Sequence, residues 1–367
     1  MRTAIVPARE MTTEWLTDVL ADAGIGGGAA ITDMKLTSIG TGQVGENVRF
    51  VLTWSSDDPE LPATVVGKFP SQSEISRSTA ALTGTYVHEV GFYRDLASTV
   101  SMCVPTVHYV AGDPEANDFV LIMQDIRGAV QGDQLAGCTV EQAELAVDQA
   151  AALHGPTWGA AERLAELDWI IPPTLDRVQG RADLYAMVFD GFATRYATAL
   201  SADDIELGRA MSDKIMLLAE ASLSDDGDPA HALCLAHNDY RLDNMLFGVE
   251  PGAAPLTIVD WQTVSLGSGP TDLAYMLGSG LLPETRVEHD ERLVRRYVDG
   301  LAGHGVDVSF DSIWHRYVLG AFSGYLMAVT ASQIVEQTER GDAMFVAMAS
   351  RHAEQMRQIG FHDHLGI

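Results

Sequence analysis

The chain is poor in cysteine, in basic residues and in long apolar runs. Its three cysteines, Cys103, Cys138 and Cys234, are widely spaced and form no C-x-x-C pair. That spacing argues against a disulfide framework or a zinc ribbon and fits a reducing compartment, so a cytoplasmic location is expected. Lys and Arg total 23 against 51 Asp and Glu, a formal net charge of −28. A surface of that sign repels nucleic acid and anionic membranes, and neither is expected as a partner. It favours a cationic ligand only weakly, because dispersed acid also serves solubility. No apolar run reaches the ~20 residues that span a bilayer. The most apolar stretch, "YVLGAFSGYLMAVTA", reads as a buried helix, and "MRTAIVPAREMTTEW" at the N-terminus has no signal-peptide core.

What is present changes character along the chain. "TTEWLTDVLADAG" predicts a helix capped by Thr12 or Thr13 and stopped at Gly24. Strands are expected at "MKLTSI", "ENVRFVLTW" and "ATVVGKF", then a helix around "TYVHEVGFYRDLAS" and strands at "VPTVHYVAG" and "DFVLIMQD". Beyond Ile126 helical patterns dominate. Thr139 and Gln142 stand at capping-box spacing before "AELAVDQAAALHG". Further helices are expected at "ADLYAMVFDGFATRYATAL", "ELGRAMSDKIMLLAEASL", "RLVRRYVDGLAGHG" and from Ile313 onward, interrupted only by short strands at "MLFGV" and "LTIVDWQ". The expected fold is α+β and bilobal: a small β-rich lobe over residues 1–125, a connector near Gln124–Arg127, and a large helical lobe over 126–367.

Gly40, Gly42 and Gly45 spell G-x-G-x-x-G, a spacing shared by dinucleotide-binding turns and kinase phosphate loops. A dinucleotide turn leads into a helix that receives the pyrophosphate. Here the glycines lead into "NVRFVLTW", where Val48, Phe50, Leu52 and Trp54 alternate as in a half-buried strand. A glycine loop between two strands is the kinase arrangement, and the oxidoreductase reading is disfavoured.

The most informative stretch is "LAHNDYRLDNMLF", with His237, Asp239 and Asn244 in the pattern H-x-D-x-x-x-x-N. In kinase catalytic loops the Asp takes or orients the acceptor hydroxyl's proton and the Asn holds a metal. "MLF", a turn and "LTIV" follow, then Asp260, so a hairpin would bring Asn244 and Asp260 to its open end. Two hard oxygen ligands suit Mg²⁺. The alternative is that Asp260 only ends a strand. Lys68 closes the apolar strand "TVVGKF", and Glu89 shares a helix face with Phe92, Tyr93 and Leu96. A carboxylate on a buried face needs a partner, and Lys68 is the natural one. Such a pair can hold ATP phosphates or serve as a structural ion pair.

Taken together, "GENVRFVL", "HEVGFYRDL", "HNDYRLDNMLF" and "IVDWQTVSLGSGPTDLAYML" resemble the aminoglycoside phosphotransferase and choline kinase superfamily, most closely its ecdysteroid-kinase-like branch. The resemblance runs from about Gly40 to Asp272 and implies a protein-kinase-like fold with ATP and Mg²⁺ as cofactors. It implies that Asp239 is the catalytic base, that Asn244 and Asp260 bind metal, and that Lys68 with Glu89 clamps the phosphates beside Gly40, Gly42 and Gly45. Main-chain groups near Met123, Gln124 and Asp125 would meet the adenine, and Asp272 would brace the catalytic loop. Asn238 stands where the superfamily usually has Gly, and "DWQ" where protein kinases have D-F-G. Arg241 falls at the place of a phosphate-contacting Lys; it either steadies the transferring phosphoryl group or is a surface residue paired with Asp243.

Only eleven residues, "WQTVSLGSGPT", separate Asp260 from Asp272. A peptide-docking activation segment ending in A-P-E has no place there, so the expected acceptor is a small molecule with a hydroxyl. A catalytically inactive nucleotide-binding scaffold is the alternative. Oligomeric state is not legible. Lesser candidates read as structural: His362 and His364 as solvated, "SDDGDP" as a turn, His154 as a helix C-cap, and Met187, Phe189 and Phe192 as core. Asp183 and Asp190 are acids that could meet an amine.

Overall fold

A computed structural model of the chain describes residues 5–40, 44–224 and 227–365. The chain forms two compact units. The first comprises Met1–Ser98, Val104–Gly128 and Val259–Gln262; the second comprises Thr99–Cys103, Ala129–Ile258 and Thr263–Ile367.

In the first unit, helix α1 (Thr13–Asp22) begins where the Thr12 hydroxyl accepts the Trp15 N–H at 3.1 Å. Strands β1 (Ile31–Ile39), β2 (Gly45–Trp54) and β3 (Thr64–Pro70) follow, then α2 (Glu74–Thr83), α3 (Thr85–Gly91), β4 (Val107–Asp113) and β5 (Asp118–Gln124). The five strands form one antiparallel sheet in the order β1-β2-β3-β5-β4. The β2 alternation holds: Val48, Phe50 and Leu52 are buried with Val65, Phe69, Val120 and Ile122, while Val51 faces outward. Every residue of β3 is buried, which suits its place at the sheet centre. Helix α2 was not expected. Its sequence buries only Ala80, so no apolar stripe marks it, although Ser73 caps its start and Gly84, at φ +70°, ends it.

The second unit opens with β6 (Ala129–Gln131), α4 (Val140–His154) and α5 (Ala161–Leu164). Both bonds of the Thr139–Gln142 capping box form at the start of α4. Next come α6 (Leu175–Arg195), α7 (Ala202–Met211), α8 (Ile215–Leu223), β7 (Cys234–Ala236), β8 (Met245–Gly248), β9 (Leu256–Ile258) and β10 (Ser265–Gly267). The unit ends with α9 (Gly269–Gly280), α10 (Pro283–Gly303), α11 (Phe310–Gly320), α12 (Ser323–Ile334), α13 (Glu339–Gln358) and α14 (Phe361–Leu365). The sequence stretch read as one helix over α7 and α8 is broken by a 3₁₀ turn at Ser212–Lys214, where Ser and Asp compete for backbone bonds. The pattern from Ile313 onward resolves into four helices. Strands β7 and β10, three residues each, pair with one another and are too short to show an alternating pattern. Helix α9 also escapes a periodicity reading, because it is buried on nearly every side. Among the described residues, no helix is long and apolar enough to cross a membrane.

The core of the second unit includes Tyr185, Phe189, Phe192, Phe322, Tyr325, Phe345 and Met348. Phe189 and Phe192 are thus core as expected, whereas Met187 of the same helix is exposed. His352 is fully buried against Gly278 and Gly324; a Cβ on Gly324 would collide with its ring. Its Nδ1 lies 3.1 Å from the Ala321 carbonyl. Burial, aided by the nearby Arg286 charge, pushes the imidazole down to about 3. A base depressed in the folded state stabilises the fold fully above its ordinary value near 6.5, and that contribution drains away as pH falls toward 3. The stability difference between wild type and His352→Asn should therefore shrink by up to about 1.4 kcal/mol per pH unit over that window. Asp290, which burial raises to about 6 against the pull of Arg286, titrates in both proteins and cancels. Urea unfolding at intervals between pH 7 and pH 4 measures the difference; a pH-independent one would mean the imidazole takes up its proton as readily in the folded state as in the unfolded.

Candidate active site

The candidate site residues fall into two groups, one in each unit. In the first unit, Lys68 on β3 projects its ammonium between two carboxylates. Its Nζ lies 2.7 Å from Glu89 Oε1 and 3.0 Å from Asp260 Oδ1. Burial would strip the lysine of its proton, but Asp260 and Glu89 outweigh it and raise its affinity for that proton. Burial also lifts the Glu89 carboxyl above the ordinary range, opposed by Lys68. Glu89 is on α3 and only 1% exposed, as its spacing from Phe92, Tyr93 and Leu96 predicts.

Asp260 holds a left-handed backbone, φ +68°, rare for a residue with a side chain. The next residue anchors it. Trp261 lies flat on Phe92, with ring centroids 3.6 Å apart and planes within 6°. Phe92 is three residues past Glu89, so one aromatic stack fixes the carriers of both carboxylates. The replacement of D-F-G by "DWQ" thus keeps an aromatic ring in a buried seat.

Gly40 closes β1 at φ +74°, and Gly45 opens β2. A Cβ on Gly45 would stand 3.3 Å from the Lys68 stem, so glycine lets the strand lie directly over it. Gly42 lies outside the described residues. Tyr86 of α3, which sequence reasoning did not single out, ties down the loop's exit by donating to the Val44 carbonyl at 2.7 Å. Met123 and Gln124 end β5. The Gln124 N–H is taken by the Thr106 carbonyl. The Asp125 carboxylate is taken by Arg49 in a two-bond fork of 2.8 and 2.9 Å. Asp125 thus has only main-chain groups to offer a ligand.

In the second unit the loop between β7 and β8 carries His237, Asp239 and Asn244. Asp272, in the first turn of α9, accepts the N–H groups of His237 at 2.6 Å and Asn238 at 2.9 Å. The loop is thereby braced from beneath. Asn238 sits at φ +62°, which explains why Asn can stand where glycine is usual, since Asn tolerates the left-handed region. Its amide also donates to the carbonyls of Ala236 and Thr263. His154 is not the helix cap expected from its position. It is fully buried between the Tyr297 hydroxyl, 2.8 Å from Nδ1, and Asp272, 3.2 Å from Nε2.

The Asp239 carboxylate is gripped by three side chains. Arg241 Nε donates to both of its oxygens at 2.9 and 3.1 Å, Tyr275 Oη to Oδ1 at 3.0 Å, and Asn244 Nδ2 to Oδ2 at 2.9 Å. Tyr275 was missed because α9 was missed; its spacing of three from Asp272 puts both on one helix face. Arg241 is not at the surface. Its side chain is 18% exposed and pairs with Asp239 as well as Asp243. Burial opposes the charge of its guanidinium, but Asp239 heads the groups that hold the proton on more firmly than usual.

The expected hairpin forms, with Met245 opposite Ile258 at its open end. Asn244 immediately precedes β8, and Asp260 stands two residues past β9. Because the Asn244 amide nitrogen is committed to Asp239, its amide oxygen is the atom left for a cation. Asn244 belongs to the second unit and Asp260 to the first; an amide oxygen and a carboxylate are each hard donors of the kind Mg²⁺ takes. Among the described residues, no group of three or more His, Cys, Asp and Glu is placed to hold a metal ion. His364 stacks on His315 at 6.1 Å. Asp183 accepts from Gln179, and Asp190 pairs with Arg209 on the surface. In "SDDGDP", Asp225 and Asp226 lie outside the described residues.

This arrangement of a strand lysine, helix glutamate and H-x-D-x-x-x-x-N loop, on a five-stranded sheet joined to a helical unit, is the protein-kinase-like fold. The chain belongs to the ecdysteroid kinase-like family, whose family model matches residues 47–309, more than half its length. A candidate aminoglycoside phosphotransferase from Ralstonia eutropha JMP134 shares the fold with a TM-score of 0.54 and 15% identity, over 97% of this chain and 98% of its own. A wild-type aminoglycoside 2'-phosphotransferase-IIIa in complex with GDP gives 0.51 and 15%, over 88% and 94%. The ethanolamine kinase of Plasmodium vivax gives 0.50 and 9%, over 89% and 84%. Among curated proteins, none matches the sequence.

Proposed function

We propose that this protein is an ATP- and Mg²⁺-dependent phosphotransferase that phosphorylates a hydroxyl of a small molecule. The observation that carries the reading is the Asp239 carboxylate, held in one orientation by Arg241, Asn244 and Tyr275. An aspartate so fixed is suited to take a hydroxyl proton as the oxygen attacks phosphorus. Its two oxygens already receive four hydrogen bonds, so an incoming hydroxyl must share or displace one of these donors.

Lys68, kept charged by Glu89 and Asp260, supplies a positive charge for the nucleotide phosphates, and the glycine loop supplies main-chain N–H groups. Asn244 and Asp260 each offer an oxygen to Mg²⁺, which neutralises phosphate charge when bound. The net charge of −28 does not oppose ATP binding strongly, because charges beyond ~8 Å are screened at physiological salt. A small acceptor is supported by the residues after Asp260, which go directly into the Trp261 stack, β10 and α9.

The test is ADP release in the presence of MgATP and a panel of hydroxylated acceptors: aminoglycosides, amino alcohols, sugars and sterols. Acceptor-dependent ADP release with transfer of labelled γ-phosphate to the acceptor supports the reading. MgATP binding without turnover of any acceptor favours the inactive scaffold instead.

A further inference from the structure

The grip of Arg241 on Asp239 is one link of a longer chain of charge. Arg241 Nη1 donates to Asp243 Oδ2 at 2.8 Å. The same carboxylate is held by Arg340 in a two-bond fork, each bond 3.0 Å. Gln134 adds its backbone N–H to Asp243 Oδ1 at 3.1 Å. Asp239, Arg241, Asp243 and Arg340 therefore alternate in sign, and the four charges cancel. Asp243 is nearly enclosed, with 9% of its side chain exposed, whereas Arg340 is 47% exposed.

Two features indicate that Arg340 is held for this contact. It is the second residue of α13, and a cation in a helix's first turn opposes the helix dipole. Four residues on, Met344 touches Arg241 Nη1 through its sulfur at 3.3 Å, so one face of α13 meets Arg241 directly and, through Arg340, its partner Asp243.

We propose that Arg340 is a positioning residue: by fixing Asp243 it holds Arg241 against the carboxylate of Asp239. Its bearing on turnover rests on the phosphotransferase reading; its bearing on Arg241 does not. An Arg–carboxylate fork is two-pronged, so lysine should replace it only in part.

The experiment has two arms on the full-length protein. Side-chain ¹⁵Nε–H resonances of arginine are recorded for wild type, Arg340→Ala and Arg340→Lys, with the Arg241 signal assigned by its loss in Arg241→Lys. Solvent exchange of the Arg241 Nε–H should be at least ten-fold faster in Arg340→Ala and intermediate in Arg340→Lys; exchange equal to wild type overturns the proposal. In the kinetic arm, Arg340→Ala should lower kcat about ten-fold with the nucleotide KM within two-fold. In an Arg241→Ala background the same change should add less than two-fold. Independent, multiplying losses would mean that Arg340 acts by another route and would overturn it as well. If wild type binds no MgATP, the phosphotransferase reading falls, while the exchange arm still decides whether Arg340 holds Arg241.

Discussion

Asp239→Asn is expected to lower kcat by roughly 10³-fold, within the 10²–10⁴ that general-base catalysis contributes, while MgATP binds as in wild type. The amide fills the same volume but cannot accept a proton. It also presents an NH₂ group toward donors that now converge on a carboxylate, so Arg241 or Tyr275 loses an acceptor. Nucleotide affinity should survive because Lys68, Glu89 and Asp260 are untouched. Steady-state kinetics with the acceptor found by the screen, together with calorimetric titration of MgATP, separate the two effects. A fall in kcat of less than ten-fold would remove Asp239 from the role of base.

The second large effect is on folding. Lys68→Met should destabilise the protein by about 3–5 kcal/mol near pH 8, because it leaves the Glu89 carboxylate buried without a counter-charge. The loss should shrink as pH falls, since Glu89 relieves it by taking up a proton. Changing both members, Lys68→Met with Glu89→Leu, should recover most of the stability, because no buried charge then remains. Denaturant unfolding of the three proteins at pH 8 and pH 5.5 is the measurement. A single-variant loss below about 1 kcal/mol at pH 8 would mean the pair is solvated.

Much of this architecture is legible in local patterns. The strand after Gly45, the spacing of Glu89 from Phe92 and Leu96, and the Thr139–Gln142 capping box are each written within a dozen residues. The loop residues Asp239 and Asn244 are legible for the same reason, since five positions apart suffices to define them. What stayed hidden depends on long-range contact or on uniform burial. Helix α9 has no polar face to create a period, and with it went Tyr275. His154 looks like a helix end until Asp272 and Tyr297, more than a hundred positions away, close around it. The burial of Arg241 between two carboxylates follows from α13 packing above it, and Arg340 lies 97 residues from Asp243. Helix α2, polar but capped at both ends, could have been found from Ser73 and Gly84 alone.

The most direct test of the central claim is a thermal-shift titration with ATP, with and without Mg²⁺, on wild type and Asp260→Asn. A ligand present at 100 times its Kd adds ~2.7 kcal/mol of stability. The account predicts that wild type shifts upward with ATP only when Mg²⁺ is present and that Asp260→Asn does not. A wild-type melting curve indifferent to ATP under every condition would contradict it.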